Sequence, residues 1–188
     1  MRYSAAHKAQ TRDRIVTTAA RRFRAGGIAD VGIAGIMTEA DLTNGAFYAH
    51  FDSKDDLVRQ AVVETLQAQR DEMLSQAEDH DLRALVAGYL SSSHRDLPAD
   101  GCPSAAMLAE IGRGSEALKT AYHDALAPTL DLIVSLLPGD PRTAHRRATA
   151  IFALLVGTMQ LARVIVDRQE SDTVLASGIE AAMGVAAS

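Results

Sequence analysis

Apolar residues along the first third of the chain recur at helical spacing and are broken by short polar or glycine-bearing stretches. Ile15, Ala19 and Phe23 fall at i, i+4 and i+8 with Val16 and Ala20 beside them. They predict a helix from near Ala9 or Thr11 to Ala25, with Arg12, Arg14, Arg21, Arg22 and Arg24 on its other faces and Gly26-Gly27 as its stop. Ile33, Ile36 and Met37 predict a second short helix ending at Glu39, weakened by Gly35 by about 1 kcal/mol relative to Ala. In the turn Ala40-Asp41-Leu42, Asp41 stands where a positive φ is wanted, a region Asp tolerates better than most residues. Thr43 is placed to cap a third helix reaching about His50, with Phe47 in the core. Ser53 caps the next, running from Lys54 to about Glu78, with Asp55 and Asp56 at the positive end of its dipole.

The pattern stays helical to the end. Leu82 to Arg95 reads as one helix, Leu97 to Pro103 as a loop and Ser104 to Ile111 as a helix that Gly112 and Gly114 end. Ser115 to Leu137 follows, with Pro128 placed to kink it. Beyond the turn at 138–141, Arg142 to Asp167 is the most apolar helix, and Asp172 to about Met183 closes the chain. Alternating β-branched runs are missing. The expected fold is all-α with about nine helices: a three-helix helix-turn-helix head (1–53) and a helical ligand-sensing and dimerisation body (54–188).

Composition changes this picture in two places. The net charge of −5 argues against a polyanionic partner, but its distribution argues for one. Residues 1–54 hold eight Lys/Arg against five Asp/Glu, and the other 134 residues hold eleven against nineteen, so a +3 head sits on a −8 body. A single cysteine excludes an internal disulfide, and Met1 to Gln10 is polar with no apolar run behind it; together they lead us to expect a cytoplasmic protein. The longest uncharged run, Ala148 to Ala162, is shorter than the ~18 residues a bilayer span needs and reads as a buried helix.

Two short helices joined by a tight turn have the layout of a helix-turn-helix, whose second helix enters the major groove of DNA. With those pieces laid out, Thr11 to Val62 resembles the DNA-binding domain of the TetR family of transcriptional regulators. The resemblance is carried by Arg-Ile-Val-Thr-Thr-Ala-Ala-Arg-Arg-Phe, by Ile-Met-Thr-Glu-Ala-Asp-Leu-Thr-Asn-Gly-Ala-Phe-Tyr-Ala-His-Phe, and by Ser53-Lys54-Asp55-Asp56-Leu57. The body resembles the family only in layout, apart from Gly101-Cys102-Pro103, which is similar to a segment of one branch, and Gly157 to Arg163. Two departures stand out. Val31-Gly32 replaces the usual capping Thr or Ser of the second helix, leaving Asp30 or nothing as its cap. Ala34-Gly35 replaces residues that are often polar and touch DNA, leaving Thr38 and Glu39 as the polar candidates there.

On this reading Thr43 meets a phosphate at a helix N-terminus, and Asn44 can pair with an adenine edge. Gly45 lets the backbone approach the groove or, alternatively, packs against the first helix. Tyr48 offers its hydroxyl to a phosphate while Phe47 and Phe51 fill the core. His50, Lys54, Thr11 and Arg12 are further phosphate candidates, and base reading falls to Asn44, Ala46, Thr43 and Thr38. So few base contacts, each worth about 1–3 kcal/mol, do not specify a genomic site. We therefore expect a homodimer on an inverted-repeat operator in double-stranded DNA.

In the body, Phe152, Leu155, Met159, Leu175, Ile179 and Ala182 are expected at an intersubunit four-helix bundle, an interface the resemblance also implies, with Gly157, Ala162, Gly178 and Ala182 allowing close approach. Met73, Tyr89, Cys102, Met107, Tyr122, Phe152 and Met159 are candidates for lining a pocket for a small apolar or amphipathic ligand, each equally readable as plain core. Cys102, ahead of Pro103, falls at a helix N-cap, where thiolate is favoured, so an oxidant- or electrophile-sensing thiol is an alternative to ligand gating. The six histidines share no ligand spacing, and no phosphate loop, nucleophile elbow or acid/base pair occurs, so neither metal, cofactor nor enzymatic activity is expected. The expected protein is a dimeric repressor released by a ligand. An all-helical carrier or enzyme would leave Tyr48, Lys54 and the basic first helix unexplained.

Overall fold

The computed structural model describes residues 5–76 and 81–188. Among them it contains nine α-helices, two short 3-10 helices and no strand. The helices are α1 (Ala5–Gly26), α2 (Ile33–Glu39), α3 (Lys54–Gln76), α4 (Leu82–Tyr89), α5 (Ser92–Asp96), α6 (Pro103–Arg113), α7 (Glu116–Ser135), α8 (Pro141–Val164) and α9 (Arg168–Ala187). The 3-10 helices are Asn44–Ala49, between α2 and α3, and Pro98–Asp100, between α5 and α6. The expected continuation of α3 to Glu78 lies outside the described residues.

Side-chain caps set most of the starts. Ser53 accepts from the Asp56 amide, Asp81 from Arg83, Ser115 from Leu118, and Asp140 from both Arg142 and Thr143. Asp167 accepts from the Glu170 amide, which starts α9 four residues before the expected Asp172. The second helix has no side-chain cap; Gly32 occupies the position in extended geometry.

Two expectations about the elements need correction, and a third gains its reason. The stretch from Leu82 to Arg95 is two helices, because the Ser91 hydroxyl caps a new one and His94 Nδ1 takes the Tyr89 carbonyl at 2.7 Å. The third head helix is 3-10 over Asn44–Ala49, and although Thr43 has N-cap backbone geometry its side chain makes no capping bond. Six residues that include Gly45 propagate an α-helix poorly. Finally, the cost of Gly35 in α2 has a return: a Cβ there would lie 3.1 Å from the Arg22 guanidinium, which crosses Gly35 to reach its carbonyl at 2.9 Å and Glu39 at 3.1 Å.

Two hydrophobic cores result. The first joins Ile15, Ala19 and Phe23 of α1, Ile36 and Met37 of α2, Phe47 and Phe51, and Leu57 to Leu66 of α3. It continues into Met107 and Ile111 of α6 and Leu118 of α7, so the core runs across the chain boundary expected after residue 53. The second is built from α4, α7, α8 and α9 around Leu85, Ile133, Ile151, Leu155 and Met159. Helix α8 is long and apolar enough to span a membrane by composition alone, yet its Ala148, Ile151, Phe152, Leu155, Met159 and Ala162 are buried in this second core.

That burial turns most of the residues expected at subunit contacts inward, into the core of a single chain. Phe152, Leu155, Met159, Leu175 and Ala182 are all inside the protomer, and Ile179 is half-buried against the same core. Their small neighbours Ala162 and Gly178 bring α9 onto α8 within one chain. The apolar surface of α8 lies on its opposite face, where Ala150, Ala153, Gly157, Leu161 and Val164 are exposed and Leu154 is half-buried, all at helical spacing.

Candidate nucleic-acid interface and effector cleft

The head presents a small polar surface on an aromatic base. Asp41 has φ 54°, and Leu42 N–H returns to the Met37 carbonyl at 2.9 Å, which turns the chain sharply between α2 and the 3-10 helix. Phe47 and Phe51 are buried and stack with ring centroids 5.5 Å apart; Tyr48 meets the Phe47 edge at 5.1 Å and 88° and is 72% exposed. Thr38, Thr43, Asn44 and Gly45 are exposed with it, and Ala46 is half-buried. Gly45 has open space where a Cβ would be, which excludes packing against the first helix as its reason. The Thr38 hydroxyl donates to the Ala34 carbonyl at 2.9 Å, leaving its oxygen as an acceptor.

Several cations expected to reach phosphates are instead engaged by the protein. Lys54 Nζ donates to the Ile28 carbonyl at 2.6 Å and closes the loop after α1. Arg12 bonds Gln60, lies 3.5 Å from Glu64 and covers the Phe51 ring at 5.6 Å. Thr11 is half-buried. The His50 ring is partly buried with Nδ1 unpartnered, and its pKa is drawn below the ordinary value by burial and by the nearby charges of Lys8 and Arg12. Lys8 is thus near enough to the His50 ring for its charge to bear on it. Lys8 is exposed, as is Arg14 on the same helix, and neither was among the phosphate candidates read from the sequence.

The loop between α1 and α2 is held from the body. Glu110 Oε1, on α6, accepts from the Ile28 amide at 2.8 Å and the Ala29 amide at 3.0 Å. Together with Lys54 it satisfies donors and an acceptor of the same two residues, fixing the entry to α2. Nothing in the helical periodicity of α6 distinguishes Glu110 from an ordinary solvated acid.

Between α1 and the body lies a cleft of about 650 Å³. Val16, Ala20 and Arg24 form its head wall, α3 contributes Thr65 and Met73, and α4 to α6 close it with Tyr89, His94 and Cys102. Of the seven expected pocket residues, Met73, Tyr89 and Cys102 are here. Met107 belongs to the first core, Phe152 and Met159 to the second, and Tyr122 packs against the first core with its hydroxyl 2.8 Å from Ser104.

Arg24 bridges the cleft, donating to the Ala99 carbonyl at 2.7 Å and to Thr65 Oγ1 at 2.8 Å. Burial lowers its pKa, against the pull of Asp100. His94 is held as the neutral tautomer that donates through Nδ1 to Tyr89 and accepts through Nε2 from the Cys102 amide at 2.9 Å. A side chain at Gly101 would collide with that ring. Cys102 is the N-cap of α6 with Pro103 following, as expected, but it is fully buried. A soluble oxidant therefore reaches its thiol only by way of the cleft.

Residues 15–61 match the model of the bacterial regulatory proteins of the tetR family. No curated protein matches the chain in sequence. Among solved structures, a TetR-family regulator from Cytophaga hutchinsonii superposes with TM-score 0.79 at 18% identity, covering 99% of this chain and 100% of that one. A TetR-family regulator from Streptomyces coelicolor gives 0.74 at 24% identity over 96% and 97%. The reduced form of E. coli NemR gives 0.74 at 17% identity over 93% and 96%. Residues 15–61 thus match the tetR-family regulatory-protein model, and the chain as a whole shares the fold of these solved TetR-family structures.

Proposed function

We propose that the protein is a homodimeric repressor that binds an inverted-repeat operator through the 3-10 helix of each head and is released by a small molecule in the cleft. The observation that carries the DNA reading is the exposed row of Thr43, Asn44, Gly45 and Tyr48 on the buried pair Phe47 and Phe51. Asn44 has the two-pronged amide that matches an adenine edge, and Gly45 lets that turn lie close to the groove. Tyr48 and Lys8 supply phosphate contacts, which position the head without reading sequence. Lys54 and Arg12 act indirectly by bracing the loop and the aromatic base.

One head offers too few base contacts for a unique site, so two must act together. The outward face of α8, with Leu161 53% and Val164 73% exposed, supports pairing of two copies through α8 and α9. On the outer side of α9, Ala176, Ser177 and Gly184 are exposed and small enough for a partner helix to approach closely.

The cleft supports ligand control because its two walls belong to the two parts that must move. Helix α6 starts at the cleft with Cys102 and ends near Glu110, which grips the loop before α2. A molecule that fits only a widened cleft shifts α6 against α1 and so moves the heads, a coupling that works equally in both directions. Selection of duplexes from random DNA by the full chain, followed by a salt titration, tests the DNA reading. The expected result is a palindromic consensus, affinity falling steeply with salt, and loss of binding in Asn44→Ala; a chain that enriches no sequence overturns it.

A further inference from the structure

We propose that the cleft between α1 and α4–α6 takes an uncharged amphipathic molecule, an apolar body carrying one carbonyl or hydroxyl oxygen that accepts a hydrogen bond from Tyr89. The assignment rests on the reading of the cleft as the effector site and names the chemistry of its occupant.

Tyr89 lines the cleft but is only 3% exposed, and its hydroxyl is buried behind that wall with no hydrogen-bond partner. Its neighbour is the Cys102 thiol, a weak partner at best. Burial holds the phenol protonated, so it has a proton to give. A buried donor with no acceptor of its own in the protein is satisfied when a ligand oxygen reaches it, which makes it a source of affinity and of orientation.

The charged groups of the wall point away from a charged ligand. Arg24 is spent on the Ala99 carbonyl and Thr65, Arg21 lies 3.4 Å from Asp100, and Glu64 lies 3.5 Å from Arg12. Glu72 is also engaged. His94 has both ring nitrogens committed. An anion or cation would have to break one of these pairs, whereas Met73, Val16 and Ala20 offer apolar contact without such a loss. The volume suits a ligand of two or three fused or linked rings.

The test uses 6-propionyl-2-dimethylaminonaphthalene, an uncharged fluorophore with one carbonyl, against 1-anilinonaphthalene-8-sulfonate, an anion of similar size. Titrated into the full chain, the uncharged probe is expected to saturate at one site per chain with a blue-shifted emission, and the sulfonate to compete poorly. Tyr89→Phe is expected to weaken the uncharged probe about fivefold, the factor one ordinary hydrogen bond supplies. The same variant should melt at the same or a higher temperature, since it removes a buried hydroxyl that nothing satisfies. Tyr122→Phe, outside the cleft, should bind the probe like the parent.

Equal affinity of the parent and Tyr89→Phe for the uncharged probe overturns the proposal. So does a preference for the sulfonate, or the lack of a saturable site. Binding of a selected duplex, followed in the same samples, separates the two readings. A chain that binds duplex but fails these probe criteria loses only the cleft chemistry; a chain that binds no duplex loses the repressor reading whatever the probe does.

Discussion

Tyr48 in the head and Tyr89 in the body face opposite ways. Tyr48 is flanked by the buried Phe47 and by Phe51 and stands 72% exposed, while Tyr89 is 3% exposed in the wall of the cleft with its hydroxyl buried. The first can meet only something that docks from outside, and the second only something small enough to enter. The supports differ in kind as well. The head surface rests on stacked rings and a shared apolar core, whereas the cleft is walled by polar bridges, Arg24 to Ala99 and Thr65, and His94 to Tyr89 and Cys102. Apolar packing holds the head surface rigid; exchangeable hydrogen bonds leave the cleft able to open.

The largest test of this contrast is Phe47→Ala. Removing a fully buried ring costs about 3–5 kcal/mol. Because the first core runs from α1 through α3 into α6 and α7, the loss should lower the urea midpoint of the whole chain in one transition followed by circular dichroism. A separate early transition confined to the head would mean that the two regions do not share a core.

Next in size is Leu161→Glu on the outward face of α8. It leaves the protomer's own core untouched and should convert a dimer to a monomer in sedimentation velocity. Operator affinity should fall by about 100-fold or more, the usual loss when two linked contacts become one. An unchanged sedimentation coefficient would show that the apolar face of α8 is not where two copies meet.

How far these features could be read from the sequence depended on whether they are local. Most of the helices, the cap at Ser53 and the positive φ at Asp41 follow from neighbours in the chain and were legible. So was the outward Tyr48, because two flanking Phe at the right spacing take the inward positions. The inward and outward faces of α8 were not separable, since Leu155 and Leu161 are equally apolar and only the placement of α9 decides between them. Lys54 and Arg12 looked like free cations because their acceptors, Ile28 and Gln60, are distant in sequence. The break at Ser91 is as local as the Ser53 cap, its hydroxyl accepting from the His94 amide three residues on, but the run of apolar residues before it masked it; the Glu110 clamp needed a partner more than 80 residues away.

That clamp gives a smaller test of the coupling between the regions. Glu110→Gln keeps one acceptor but removes its charge, and should cost about 1 kcal/mol, less than a buried charged bond because the loop is partly exposed. Duplex affinity should drop more than stability does, since α2 and the 3-10 helix lose a fixed approach. Equal losses in both would reduce Glu110 to a stabilising contact. Tyr48→Phe should do the reverse, leaving the urea midpoint unchanged while weakening the duplex about fivefold at every sequence, as loss of a phosphate contact predicts.

The smallest effect concerns the two histidines that mark the two surfaces. His94 has its pKa pulled below the ordinary 6.5 by burial and by Arg163, against its bond to the Tyr89 carbonyl. His50 is lowered by burial, Lys8 and Arg12. In each case the unfolded chain binds more protons than the folded one below pH 6.5, so stability rises with pH in that window and is lost as pH falls. The carboxylates act lower: Asp96, held at about 2 by Arg95 and Arg168, costs stability only as pH drops below its ordinary 3.8. Glu64, raised by burial above its ordinary 4.5, has the opposite sign and overlaps the acid end. Urea midpoints taken between about pH 7.5 and 5.5 therefore isolate the histidines. His94→Gln should flatten the slope by removing the cleft's share, and His50→Gln should remove the head's. Bound operator brings phosphate charge to His50 alone, which favours its protonated form and should diminish the head's share while leaving His94's intact. If operator instead diminishes the slope of His50→Gln, the proton is being read in the cleft, and the two surfaces are coupled more tightly than their separate supports imply.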